Sequence, residues 1–294
     1  MRDRARSTVE ALQDAICAAL ENIDGTGKFR EELWTRPGGG GGRTRVLSEG
    51  SVFEKGGVNT AAVHGPVPSA LEGELLGEGP DFYATGVSLV LHPRNPHVPT
   101  VHANYRYIER GDTCWFGGGA DLTPYVLYEE DARHFHKTQK DVCDAHDPAF
   151  YPRFKQWCDR YFRNHHRGEA RGVGGIFFDT VRPDEQHSME DLFTWWKATG
   201  QSFIPAYLPI AERRMSESYD DRLREWQLQR RGRYVEFNLI HDRGTAFGLK
   251  TDGRIESIFM SLPPLVRWDY SVKAEPGSPE ANLIDVLVSP REWA

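Results

Sequence analysis

The chain has only four cysteines in 294 residues, and no two of them stand as Cys-x-x-Cys. Cys17, Cys114, Cys143 and Cys158 are spread too widely for a zinc knuckle or a thioredoxin-like site. They are expected as reduced, mostly buried thiols. No apolar run approaches the roughly 18 residues that span a bilayer, and no signal-peptide core follows the basic start, Met1 to Arg6. Glu10, Asp14 and Glu21 lie in the amphipathic stretch that follows and argue against a mitochondrial presequence, so the expected location is the cytoplasm. Positive charge is also short: 36 Lys and Arg against 43 Asp and Glu leave a net charge of −7. That balance argues against general nucleic-acid binding. An anionic ligand would need a local cluster of Arg and Lys. The one low-complexity run, residues 37–42 (PGGGGG), lacks the Gly-Lys-Ser/Thr ending of a phosphate-cradling loop. It reads as a loop that lies close against another backbone or a ligand.

What is present fits a soluble globular protein, with 39% apolar and 27% charged residues. The pattern predicts helices near 7–22 and 129–145, then one opened by Asp147-Pro148 and running to about 167, with further helices near 189–202 and 206–230. Ser278-Pro279 caps a last helix. Strands are expected near 45–54, 58–64, 84–92, 100–108, 113–117, 173–179, 233–241 and 245–250, with another at 254–260. The connections among the early strands are too short for crossover helices, so these strands should pair antiparallel. With no regular β-α-β alternation, residues 1–294 read as one α+β domain on a mostly antiparallel sheet.

Strand periodicity then gathers polar groups. Ser88 and His92 share one face of their strand, and His102, Asn104 and Arg106 share one face of the next. Placing 92 opposite 102 sets 88 opposite 106 and builds a polar stripe beside Val87, Leu89 and Leu91. A solvated sheet face would look the same. His134 and His136 point about 200° apart on a helix and cannot share a target. His165 and His166 are expected at a helix end, where a protonated imidazole is favoured electrostatically. One histidine of each pair can join His92 and His102 around a divalent metal. In the segment 115–124 (WFGGGADLTP), glycines leave a strand and Asp121 follows; that acid either satisfies the turn or points at a ligand. Arginines cluster at 167–171 and 230–233. Their forks match carboxylates, although any single Arg is more often a structural or surface partner.

The segments 87–93 (VSLVLHP), 99–107 (PTVHANYRY), 115–124, 151–159 (YPRFKQWCD) and 230–268 resemble the oxygen-dependent coproporphyrinogen oxidases, in order and with few gaps from about Trp34 onward. The radical-based anaerobic enzymes for the same conversion need a cysteine motif for an iron–sulfur cluster, which this chain lacks. The resemblance implies an antiparallel sheet flanked by helices on both sides, and a homodimer formed through 234–269. It implies oxidative decarboxylation of two propionates of coproporphyrinogen III to vinyls, giving protoporphyrinogen IX in haem synthesis. Molecular oxygen would be co-substrate, with no flavin, haem or iron–sulfur cluster.

By the same resemblance His102 is the proton donor, and Ser88, Asn104 and Arg106 contact substrate. Arg171 lies near the pocket, and Asp121 faces the pyrrole nitrogens. His92, His102, His136 and His166 match ligands of a divalent metal cation. Where the family pattern ends in Phe-Gly-Leu-Gln-Thr-Gly-Gly-Arg, this chain reads Phe247 to Arg254 as FGLKTDGR. Gly253 and Arg254 carry over as substrate contacts, while Asp252 places a carboxylate near a polyanion. The expected mechanism has Arg106, Arg254 and Arg171 holding propionates, Asp121 accepting pyrrole N–H groups and His102 moving a proton. Two readings from other classes stand beside it: a tetrapyrrole-binding module without catalysis, and a histidine-liganded metal hydrolase.

Overall fold

A computed structural model describes residues 1–69, 73, 75–250 and 253–294. Helix α1 (Arg2–Asp24) precedes six consecutive strands: β1 (Arg30–Thr35), β2 (Gly40–Ser48), β3 (Phe53–Pro66), β4 (Asp81–Pro93), β5 (Thr100–Arg110) and β6 (Thr113–Thr123). Helices α2 (Glu129–Asp144) and α3 (Phe150–Tyr161) follow, then the short strands β7 (Arg163–Asn164) and β8 (Glu169–Ala170), and β9 (Gly174–Val181). The rest is helical: α4 (Met189–Gln201), α5 (Phe203–Arg214), α6 (Asp221–Ile240), α7 (Arg243–Lys250), α8 (Ile255–Phe259) and α9 (Pro279–Val288). Strands β1 to β6 lie in chain order in one antiparallel sheet, and β9 closes its far edge beside β6.

The sheet has two differently dressed faces because side chains alternate along a strand. Val87, Leu89 and Leu91 of β4 and Val101, Ala103, Tyr105 and Tyr107 of β5 all enter the core. There they meet Val9, Leu12, Ile16 and Leu20 of α1, four apolar residues at helical spacing. Trp195, Trp196 and Tyr207 from α4 and α5 complete that layer. Truncating a ring buried as fully as Phe178 to Ala would cost about 3–5 kcal/mol. The other face carries Ser88, His92, His102, Asn104 and Arg106, and α6 and α8 lie across part of it. Tyr234 of α6 stacks edge-on against His92, and Asn59 donates to the Ser257 carbonyl of α8 at 3.1 Å. The sheet is thus flanked on both sides.

Several local expectations need correction. Residues 233–241, 245–250 and 254–260 are helical, not strands. The buried positions of α6 include Gln227, Arg231, Tyr234 and Asn238, spaced three or four apart. Three of the four are polar, so the helical period does not show as a hydrophobic one. The helix expected over 206–230 is two, divided where Asp220 caps α6 through the Leu223 N–H at 2.8 Å. The helix expected to reach 167 stops at Tyr161, because β7 and β8 form a tight hairpin around His165 and His166. The glycine run enters β2, where Gly42 lies against the Trp34 ring of β1 with no room for a side chain. The cap at Ser278 is as expected, with Oγ accepting from the Ala281 N–H.

Candidate active site

On β4, Val90 lies opposite His102 and Ser88 opposite Asn104, two residues from the register expected above. A shift of two keeps every side chain on its face. Ser88, His102, Asn104 and Arg106 are therefore all partly exposed on one polar floor. Gly86 and Gly117 flank Arg106 on the neighbouring strands, and the Arg106 side chain lies over Gly117 in the space a side chain there would fill.

A continuous hydrogen-bonded chain crosses this floor. Arg171 donates through Nε to Asp121 Oδ2 at 3.0 Å and through Nη2 to Oδ1 at 2.8 Å. His102 Nδ1 donates to Asp121 Oδ1 at 2.9 Å. A carboxylate only accepts, so the proton is on Nδ1 and Nε2 presents its lone pair. Asn104 Nδ2 reaches that lone pair at 3.3 Å, while Asn104 Oδ1 accepts from Arg106 Nη1 at 2.9 Å. Arg106 Nη2 lies 3.0 Å from Asp179 Oδ2 of β9.

Electrostatics fix the buried end. Burial pushes the Asp121 carboxyl up, but the Arg171 guanidinium and His102 outweigh it and hold the group below the ordinary carboxylate value. Arg171 is 3% exposed and is sandwiched by the rings of Phe162, Tyr234 and Phe237 at 4.2, 4.7 and 4.7 Å. Its remaining fork donates to Asn238 Oδ1 at 3.0 Å. Two expectations change here. Arg171 is committed to Asp121 and does not offer itself to a propionate. Asp121, at 1% exposure, spends both oxygens on Arg171 and His102 and faces no ligand directly. It orients the imidazole instead, from within β6 rather than from a turn.

The four histidines expected around a metal do not converge. His92 is fully buried, with Nε2 on the Ser261 carbonyl at 2.8 Å and Nδ1 near Thr100 Oγ1. His136 is equally buried, its Nε2 on the Val173 carbonyl at 3.0 Å and its Nδ1 on the Tyr151 hydroxyl at 2.9 Å. Burial holds His136 down to about 3, so it is neutral. His166 pairs with Glu236 and His241 in the β7–β8 turn. Among the described residues no three metal-binding side chains are gathered. The ring nitrogens of His92, His136 and His166 are taken by protein partners, His102 Nε2 stands apart from them, and the set does not fit a metal centre. His134 is also engaged, with the Pro205 carbonyl.

Arg254 stands apart from the chain. Its Nη2 pairs with Glu32 of β1 at 2.6 Å, and the Gly253 N–H donates to the Gly248 carbonyl. Asp252 lies outside the described residues. Sequence reasoning missed Asn59, Asp179, Asn238 and the ring cage around Arg171. Asn59 sits in the same cross-strand row as Ser88 and Asn104, and its buried Oδ1 has no partner among the described residues. Strand alternation from Ser88 was the available signal for it. Nothing local marked Asn238, which was read as part of a strand.

The family model for coproporphyrinogen III oxidase matches residues 4–293. The chain belongs to that family. Among family members, the oxygen-dependent coproporphyrinogen-III oxidase of Synechococcus sp. (strain CC9902) is 54% identical, over 99% of this chain and 87% of that protein. The protein of that name from Prochlorococcus marinus (strain MIT 9313) is 52% identical, over 99% of this chain and 90% of its own. Among the described residues no helix is long and apolar enough to cross a membrane.

Proposed function

We propose that the chain is an oxygen-dependent coproporphyrinogen-III oxidase whose chemistry runs on the floor formed by Ser88, His102, Asn104 and Arg106. The observation that carries this reading is the chain from Arg171 through Asp121, His102 and Asn104 to Arg106. It ends in a partly exposed cation, as an anionic substrate needs, and contains one imidazole of defined tautomer.

The substrate is an electron-rich, reduced macrocycle with four propionates, and such a ring reacts with oxygen without a flavin or haem. The protein's task is to orient it and to place proton carriers. Arg106 holds a propionate through a charge-assisted pair. Ser88 and Asn104 contact the ring or its side chains. At each of two propionates the carboxylate leaves as carbon dioxide and the carbon next to the pyrrole loses a hydrogen. The two electrons released go to oxygen. With that hydrogen, as a proton, and one further proton, oxygen departs as hydrogen peroxide. His102 Nε2 carries one of these protons, and Asp121 stabilises the imidazolium as it forms. Gly253 and Arg254 would take a second propionate once Arg254 leaves Glu32. No step is routed through a metal, because the histidine nitrogens that would hold one are engaged elsewhere.

A homodimer through 234–269 belongs to this reading. Leu239, Ile240, Leu249, Leu265 and Trp268 in that segment are all more than 40% exposed, at 53, 62, 43, 55 and 53%.

The deciding experiment is oxygen uptake on adding coproporphyrinogen III, with the mass of the porphyrinogen followed in parallel. Uptake matched by loss of two carboxyl groups is expected. Tight binding without uptake would leave a catalytically inactive tetrapyrrole-binding module, and turnover that persists without oxygen would point to a hydrolase.

A further inference from the structure

We infer that Asp179 is a positioning residue of this site, acting through Arg106. The inference rests on the reading that Arg106 holds a propionate of the macrocycle. Strand β9 pairs regularly with β6 from Leu122 opposite Gly174 to Gly118 opposite Phe178, and then the register slips so that Phe116 faces Val181. Two residues of β9, Asp179 and Thr180, thus stand against Gly117 alone. Such a bulge re-aims a side chain and is frequent beside active sites. Thr180 has a φ of +53°. A β-branched residue in the left-handed region is a strained conformation that its surroundings must enforce.

The product of that strain is one contact. The Asp179 carboxylate turns over Gly117, with Oδ1 accepting from the Thr180 N–H at 2.9 Å and Oδ2 lying 3.0 Å from Arg106 Nη2. A Cβ at 117 would stand 2.7 Å from Arg106 Nε and 2.8 Å from Asp179 Oδ1. Gly117 itself is not among the glycines of positive φ. Its missing side chain therefore makes room for this ion pair and does not serve the backbone. A bulge, a strained threonine and an empty position converge on the same guanidinium. With Asn104 on Nη1 and Asp179 on Nη2, the plane of the fork is fixed from two sides. A guanidinium carries five N–H donors, so these two contacts leave others for an incoming carboxylate. The fork is then set before the macrocycle arrives, and its side chain stays 31% exposed to receive it.

The test measures binding of coproporphyrin III, the oxidised and unreactive ring with the same propionates, by fluorescence titration. The variants are Arg106→Ala, Asp179→Ala, Asp179→Asn and the double Arg106→Ala/Asp179→Ala. Asp179→Ala should weaken binding about tenfold. Asp179→Asn has one acceptor oxygen for two donors, the Thr180 N–H and the guanidinium, and should show an intermediate loss. The double variant should bind no more weakly than Arg106→Ala alone, because Asp179 acts only through that residue. If Asp179→Ala fails to fold, the same cycle run with Asp179→Asn decides, its loss vanishing in the Arg106→Ala background. Additive losses, or unchanged or tighter binding in Asp179→Ala while Arg106→Ala is weakened, overturn the inference alone. Unchanged binding in Arg106→Ala overturns the propionate reading of Arg106, and this inference with it.

Discussion

With Nδ1 committed to Asp121, the His102 ring has one nitrogen left for chemistry, and it faces Asn104 on the partly exposed floor. Replacing the ring leaves the Arg171–Asp121 pair whole. His102→Ala should therefore lower kcat by about 10²–10⁴-fold, with a melting temperature near wild type and coproporphyrin III still bound. An equally large fall in stability would show that the histidine is structural. His136 makes the opposite case. Its folded value of about 3 lies far below the ordinary histidine value of 6.5. The unfolded chain thus binds the proton first as pH falls. The stability this group contributes is complete above about pH 6.5 and is lost from there down towards pH 3, at about 1.4 kcal/mol per pH unit. His136→Gln should flatten that limb in unfolding measured against pH. A chelator at neutral pH should change neither melting nor turnover. Loss of either on chelation, restored by adding a divalent metal, would return the four-histidine site to the mechanism.

At the level of elements, α6 brings Tyr234, Phe237 and Asn238 against Arg171, and β3 holds α6. Glu54 of β3 accepts from Arg231 Nη1 at 2.7 Å and pairs with Arg224 at 2.7 Å, and Arg231 is fully buried. Burial pushes the Glu54 carboxyl up, yet the two guanidiniums outweigh it and keep it below the ordinary value. Arg231→Leu removes one partner and strands part of that charge. It should cost about 3–5 kcal/mol in denaturant unfolding. Turnover should fall with it, since Tyr234 and Asn238 sit on the next turns and touch Arg171. Stability unchanged within ~1 kcal/mol would show that Arg224 alone satisfies Glu54. The same helix shows where sequence was readable. The alternation of Val101, Ala103, Tyr105 with His102, Asn104, Arg106 exposed the floor of the site directly, because one face is apolar and the other polar. In α6 both faces are polar, since its buried face carries Gln227, Arg231 and Asn238. Its first half was read as helix, but the period was lost beyond 230, and 233–241 was read as strand. The ring nitrogens of His92 and His136 were illegible for a related reason. Their partners are the Ser261 and Val173 carbonyls, 169 and 37 residues away, and no side-chain pattern records a carbonyl.

For the molecule as a whole, net charge of −7 and an anionic substrate oppose one another, so attraction must be local. Arg106 supplies it through the guanidinium donors that Asn104 and Asp179 leave open, on a floor where Asp121 is already paired with Arg171. Most of the exposed large apolar residues among the described ones lie elsewhere, at the end of α6, at Leu249 and along 253–272. A surface dressed with Leu239, Ile240, Leu265 and Trp268 is more apolar than solvent contact favours, and a second copy burying the same patch by twofold symmetry would cover it. The mass in solution should then be twice 33.4 kDa by light scattering. Ile240→Glu with Leu265→Glu sets four carboxylates, two from each copy, into that contact. Two central positions of this kind should weaken association by about thirtyfold or more, and a monomer peak should emerge at micromolar protein. Because α6 also carries Tyr234 and Asn238 against Arg171, the monomer's turnover should drop while its helical content stays unchanged. A wild-type chain running at single mass at high concentration would reject the dimer. A dimer untouched by both glutamates would move the interface off this segment.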